Sequence, residues 1–281
     1  MTIMHKLLTG LGRLGCALIC TACSPLLAHP SMDMEQWERH IRATPPPAIL
    51  LLGEQHDAPE HQHWQHATVR ILSQRQQLAA VVVEMADQGQ STQGLPTTAT
   101  ESQVQRSLQW NDKGWPWKAY GPTIMTAVRA GVPVLGGNLP RTQMKNVMQQ
   151  THWENHLPAP AWQQQREAIR AGHCDLLPKH QITPMARIQL AKDARMAQTA
   201  TSVVQPGKAV VLIAGRAHVL RSIGIPLWLP ANVPHTIAVA QAGHKTSIAL
   251  HDRDVVVHTP AIPNTDHCAQ LQKHWGHASK P

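Results

Sequence analysis

A chain of 281 residues with 42% hydrophobic content is long enough to bury a substantial core and fits one large domain or two small ones. The net charge is +8, but the Lys and Arg residues are scattered, with no basic stripe and no nucleic-acid motif, which excludes nucleic acid as the partner. Phe is absent, Tyr occurs once, Trp 9 times and His 19 times, a compositional habit against which no single histidine reads as a metal ligand.

The N-terminus carries a targeting pattern. Lys6 and Arg13 flank a short apolar stretch, Leu14 to Ile19, followed by CTACSPLLA. A positive start, an apolar centre and small residues at the exit describe a secretory signal, too short for a permanent span. Two exits compete: cleavage after Ala22 leaves Cys23 as a lipidated first residue, and cleavage after Ala28 releases a soluble periplasmic protein. The first assignment gives residues 1–22 as signal, 23–44 as an N-terminal extension and 45–281 as one α/β domain. Cys16 and Cys20 fall in the signal. If Cys23 carries lipid, Cys174 and Cys268 remain, and an exported protein favours their pairing.

Residues 31–42 read as a short helix and Thr44-Pro45-Pro46-Pro47 as an extended lead-in. AILLLGEQHD follows: an unbroken apolar run, Ala48 to Leu52, closed by Gly53, then Glu54, Gln55, His56 and Asp57. Such a run predicts a strand buried on both faces with a polar end. After Pro59 the spacing predicts a helix with Trp64, Ala67, Ile71 and Leu72 on one stripe. Leu78 to Met85 is a second apolar strand ending near Glu84, and 86–103 is a polar Gly/Pro/Thr-rich surface loop or lid. A short helix begins at Val104, and WNDKGWPWKAYGP concentrates Trp110, Trp115, Trp117 and Tyr120. A helix runs over Pro122–Arg129, capped by Gly131. Val132 to Leu139 is the third strand, ending at Asn138; 141–170 is helical and broken by Pro158 and Pro160. Thr183-Pro184 reads as N-cap and first turn of a long helix to about Val204. Ala209 to Ala214 is the fourth strand, followed by Gly215, Arg216 and His218, with later strands at 235–240 and 254–262.

Strands alternating with helices predict a mostly parallel central sheet flanked by helices. Right-handed crossovers then bring the strand carboxyl ends to one rim, collecting Glu54, His56, Asp57, Glu84, Asn138 and His218. Two chemistries are open to this rim. Glu54, His56, Glu84 and His218 can hold a divalent metal and activate water for hydrolysis, though their spacing matches no short zinc signature. Alternatively, Tyr120 can present a phenolate to ferric haem, with Trp117 and its neighbours offering flat apolar contact. No nucleophile elbow and no phosphate loop is present.

GEQHDAPEHQ at 53–62, VVVEM at 81–85, LQWNDKGWPWKAYGPTIMTA at 108–127, PVLGGNLPR at 133–141, CDLLP at 174–178, QLAKDARMA at 189–197 and AGRAHVLRSIGIPLWL at 214–229 together resemble the ChaN family of haem-binding lipoproteins. That family sits in a wider superfamily with the Tiki/TraB and erythromycin-esterase groups. The resemblance implies an α/β domain that binds haem, as a cofacial pair across a homodimer, through a tyrosine ligand, here Tyr120. It also implies a role in iron acquisition at the outer membrane of a Gram-negative-type cell, beside an outer-membrane haem receptor. Glu54, His56, Glu84, Asn138, Asp193 and His218 carry over as signature residues. One departure is Lys192, where the family's helix more often has Arg, so that bidentate pairing with a carboxylate is lost.

Overall fold

In the computed structural model the described residues are 30–243, 248–263 and 266–278. The signal segment and Cys23 lie outside them. Seven strands form one sheet in the order β1-β7-β6-β2-β5-β3-β4, every ladder parallel. The elements run β1 (Ser31–Met32), α1 (Met34–Ala43), β2 (Ile49–Glu54), α2 (Pro59–Gln74), β3 (Leu78–Asp87), α3 (Glu101–Ser107) and α4 (Trp117–Arg129). They continue with β4 (Val134–Asn138), α5 (Arg141–Val147), α6 (Ala159–Gly172), α7 (Lys179–Ser202), β5 (Ala209–Gly215), α8 (Arg216–Val219), β6 (His235–Ala242), β7 (Val255–Thr259) and α9 (His267–Ala278). This is the α/β architecture with a parallel central sheet that the alternation of patterns predicts.

The unbroken apolar runs follow from burial on two sides. Leu50 and Leu52 of β2 join Val81, Val83, Val211 and Ile213 under α1, α2 and α4. Ile49 and Leu51 face the other way, with Val82, Val210 and Leu212, onto Met196, Ala197 and Ala200 of α7. Trp64, Ala67, Ile71 and Leu72 are all buried, as their spacing on α2 predicts. The described part of the 23–44 segment is built into the same layers. β1 pairs with β7, and Trp37 of α1 is fully buried, donating its indole N–H to Thr68 Oγ1 at 2.8 Å.

Three local expectations give way. α7 starts at Lys179, not Thr183, with Pro178 as N-cap and Pro184 inside the helix. α4 starts at Trp117 and contains Pro122. A proline this close to a helix start forfeits a single i→i−4 bond, a loss that long, well-packed helices absorb. The early start of α4 has its own cause, since Asp112 Oδ1 accepts the Trp117 N–H at 2.6 Å. The polar connection after β3 is not a lid over the rim. Thr92 Oγ1 accepts the Val134 N–H at 2.8 Å and Ser91 bridges Leu135, so this segment covers the edge of β4.

β5 is inserted between β2 and β3, and β6 pairs with β2 on the far side. Open α/β sheets bind ligands outside the carboxyl ends of strands where the winding changes direction. At that place α8 settles directly on β2: a Cβ at Gly53 would lie 2.4 Å from Val219 Cγ2 and 3.4 Å from Arg216 Cα. Gly53→Ala should therefore cost about 1–3 kcal/mol of stability through overpacking. Urea unfolding measures this, and an unchanged midpoint would show that α8 is not held against the strand.

Candidate functional site

The rim is built on two buried carboxylates at the ends of β2 and β3, the strands that flank β5. Glu54, the last residue of β2, is 1% exposed and its carboxylate receives four hydrogen-bond partners. His56 Nδ1 (2.7 Å) and the Tyr120 hydroxyl (2.7 Å) reach Oε1; the side-chain amides of Gln62 (2.8 Å) and Gln65 (2.6 Å) reach Oε2. These donors come from the turn after β2, from α2 and from α4. A carboxylate deprived of water requires such satisfaction.

Glu84 of β3 is the second. Its Oε2 accepts the backbone N–H of Gly215 at 2.8 Å. Its Oε1 lies 3.3 Å from His218 Nε2 and 3.9 Å from Lys192 Nζ. His218 in turn meets Asp193 Oδ1 through Nδ1 in a short contact, and the amide of Gln189 lies 3.0 Å from both ring nitrogens. Burial by itself would push His218 down, but Glu84 and Asp193 outweigh it and hold the imidazolium up at about 9. Burial pushes the Asp193 carboxyl up to about 6 against the pull of His218. Glu84 goes the other way: burial opposes its charge, yet His218, Lys192 and His56 hold it well below the usual carboxylate range.

His56 joins the two carboxylates. Its Nδ1 is tied to Glu54, and its Nε2 lies 3.9 Å from Glu84 Oε2. The side chain stays 39% exposed. Burial disfavours its charge, but the bond to Glu54 and the field of Glu84 leave its pKa raised. Trp115 meets its ring edge-on with centroids 4.8 Å apart. Beside Nε2 there is open space because residue 215 is glycine: a Cβ there would stand 2.8 Å from Nε2. A cavity of about 930 Å³ opens here, with His56, Asp57, Arg216, His218 and His267 among its walls. Cys174 and Cys268 form a disulfide with Cα atoms 5.6 Å apart, next to Gly172 and His267 of that wall.

The haem-binding pair expected from sequence is placed differently. Tyr120 is 3% exposed, packs near Trp110 and Trp115, and donates its hydroxyl to Glu54. Burial and the Glu54 charge push its pKa far up, so it is a neutral phenol in the core and not a phenolate on the cavity. Trp117 donates its indole N–H to Glu101 at 2.8 Å and is not part of the cavity wall. Asn138 works as a brace, donating to the Glu84 carbonyl at 2.8 Å. Asp193 reaches the rim from α7, not from a strand end. The divalent-metal alternative also lacks its cage: among the described residues no three His, Cys, Asp or Glu side chains are disposed to hold a metal ion.

Residues 42–229 match the family model described as "Haem-binding uptake, Tiki superfamily, ChaN". The chain belongs to the ChaN family. Among solved structures it is similar to ChaN of Campylobacter jejuni, described as binding haem cofacially, with 23% identity, TM-score 0.62, and coverage of 80% of this chain and 94% of that one. The type III effector HopBA1 aligns at 12% identity and TM-score 0.45, covering 82% and 94%. No curated protein sequence matches.

In this ChaN-family chain several rim residues had no signal of their own in the sequence. Gln62 and Gln65 stand three apart on α2, and both are buried although amides favour water. Their polarity on a buried stretch of helix is the one available clue. Gln189 and Gly215 lie inside the segments QLAKDARMA and AGRAHVLRSIGIPLWL, but neither residue type marks a hydrogen bond at the rim.

Because the folded chain holds the His218 proton more tightly than an unfolded chain would, that group contributes stability in full below about pH 6.5 and loses it as the pH rises through about 9. Thermal midpoints of the protein should fall across that interval, and His218→Gln should flatten the decline, leaving only a small residue from His56. Equal slopes in both proteins would remove the buried imidazolium from the account.

Proposed function

We propose that this chain is an exported haem-binding protein of iron acquisition, with haem in the cavity at the carboxyl edge of the sheet. The observation that carries the reading is a cavity of about 930 Å³ beside a half-exposed histidine, in a chain of a haem-binding uptake family. Ligand cavities run to about 300–1,000 Å³. Haem iron takes an imidazole or a phenolate as axial ligand. The residues present fit the imidazole. His56 commits Nδ1 to Glu54, which orients the ring and leaves Nε2 beside the space that Gly215 keeps open. Tyr120 fits less well, since its hydroxyl would have to leave Glu54 and the core.

The finer features belong to the same proposal. Two haems bind cofacially, by likeness to the solved ChaN structure, and a homodimer brings them face to face. Haem passes between the protein and an outer-membrane receptor. The chain is held as an outer-membrane lipoprotein through Cys23, or is free in the periplasm. The Cys174–Cys268 disulfide suits such an oxidising compartment. No helix among the described residues is long and apolar enough to cross a membrane.

Hemin titration of the purified protein should give a saturable Soret shift. Tyr120→Phe should keep the band and its position, whereas His56→Ala should weaken binding about tenfold or more. The opposite ranking would return the axial position to Tyr120, and no shift in any protein would end the haem reading.

Hydrolysis is a second reading, favoured by one observation. Two carboxylate-held imidazoles, Glu54–His56 and Asp193–His218, flank Glu84 next to open space. His56 Nε2 would take a proton from water there while Glu54 fixes the ring. On this reading Glu54→Gln abolishes turnover of ester or amide substrates. A wild-type protein silent toward both would leave the rim to ligand binding.

A further inference from the structure

Arg216 is the first residue past β5, set into the cavity wall. It is half-buried, and burial lowers its pKa. Its guanidinium makes a single long hydrogen bond, to Gln241 Oε1 at 3.3 Å, and among the described residues no carboxylate comes within ion-pair distance of it. Glu54 is nearby but already accepts four partners. Asp57 lines the same cavity without pairing to Arg216. Other cations in this part of the chain have acids of their own: Lys192 faces Glu84, and Arg221 bonds Asp254 at 2.6 Å.

A guanidinium on a cavity-lining residue, with most of its donors unused, can serve as a bidentate receptor for a planar anion. Its backbone is fixed against β2, because Gly53 lets α8 approach the strand closely. The fork is therefore held at a set place relative to His56, on the adjacent strand end.

We infer that Arg216 anchors a carboxylate of the molecule that fills this cavity. The inference rests on the haem reading, and on that reading the carboxylate is a porphyrin propionate. Arg216 then selects for porphyrin diacids and fixes the orientation of the ring, while His56 independently meets the metal.

The test separates the two contacts. Binding of four probes is followed by quenching of tryptophan fluorescence: hemin, metal-free protoporphyrin IX, and the dimethyl ester of each, all presented in the same detergent. The wild-type protein should prefer each diacid over its ester by about 10- to 100-fold. Arg216→Gln should lose that preference without moving the Soret position of bound hemin, and Arg216→Lys should recover part of it. Circular dichroism melting confirms that both variants fold. Equal affinity of the wild-type protein for diacid and ester would overturn the role of Arg216 and leave haem binding intact. So would a preference that survives in Arg216→Gln. Failure of all four probes to bind would overturn the haem reading and this inference together.

Discussion

A negative charge at the end of the central strand must be satisfied without water, and much of this molecule is arranged to do it. Glu54 is nearly fully buried at the carboxyl end of β2, the middle strand of the sheet. Four groups converge on it from the following turn, from two turns of α2 and from α4. An unsatisfied buried carboxylate would cost several kcal/mol. That constraint ties α2 and α4 to the end of β2 and sets which way the His56 ring points. Glu84 repeats the arrangement two strands along the same sheet, joining β3 to β5 through the Gly215 N–H and to α7 through His218 and Asp193.

The two networks meet at His56. One ring nitrogen is spent on structure and the other stands beside open space, which Gly215 preserves by having no side chain. The Tyr/Trp segment contributes differently from what its composition suggests. Tyr120 serves Glu54 from behind, Trp115 supports the edge of His56, and Trp117 is turned to Glu101.

The layering was legible in the chain because burial writes itself into residue type. Runs such as Ile49–Leu52 and Val81–Val83 carry no polar residue since both of their faces are covered, and a sheet of that kind is parallel. The rim could be located for the same reason, since Glu54 and Glu84 interrupt apolar runs where the strands end. Helix starts were less legible. Thr183-Pro184 has the local chemistry of an N-terminus, yet packing of Lys179–Ser202 as one long helix overrides it. For Tyr120, a sequence shows a phenol's chemistry but not that its hydroxyl is bonded to Glu54.

By itself, then, the sequence determined the layer class, the parallel sheet and the rim that carries Glu54, His56, Glu84 and His218, all of which follow from local hydrophobic patterning and the handedness of crossovers. It determined membership of the ChaN family through motifs spread over residues 42–229. Tertiary structure alone decided the roles. It placed β5 between β2 and β3, so that residues some 160 positions apart, Glu54 and Gly215, share a register. It also brought Gln62, Gln65 and Tyr120 onto one carboxylate and left Arg216, on the cavity wall, without an acid of its own among the described residues. Hydrogen-bond partnership is a property of distances between elements, and those distances are set by packing that no local pattern records.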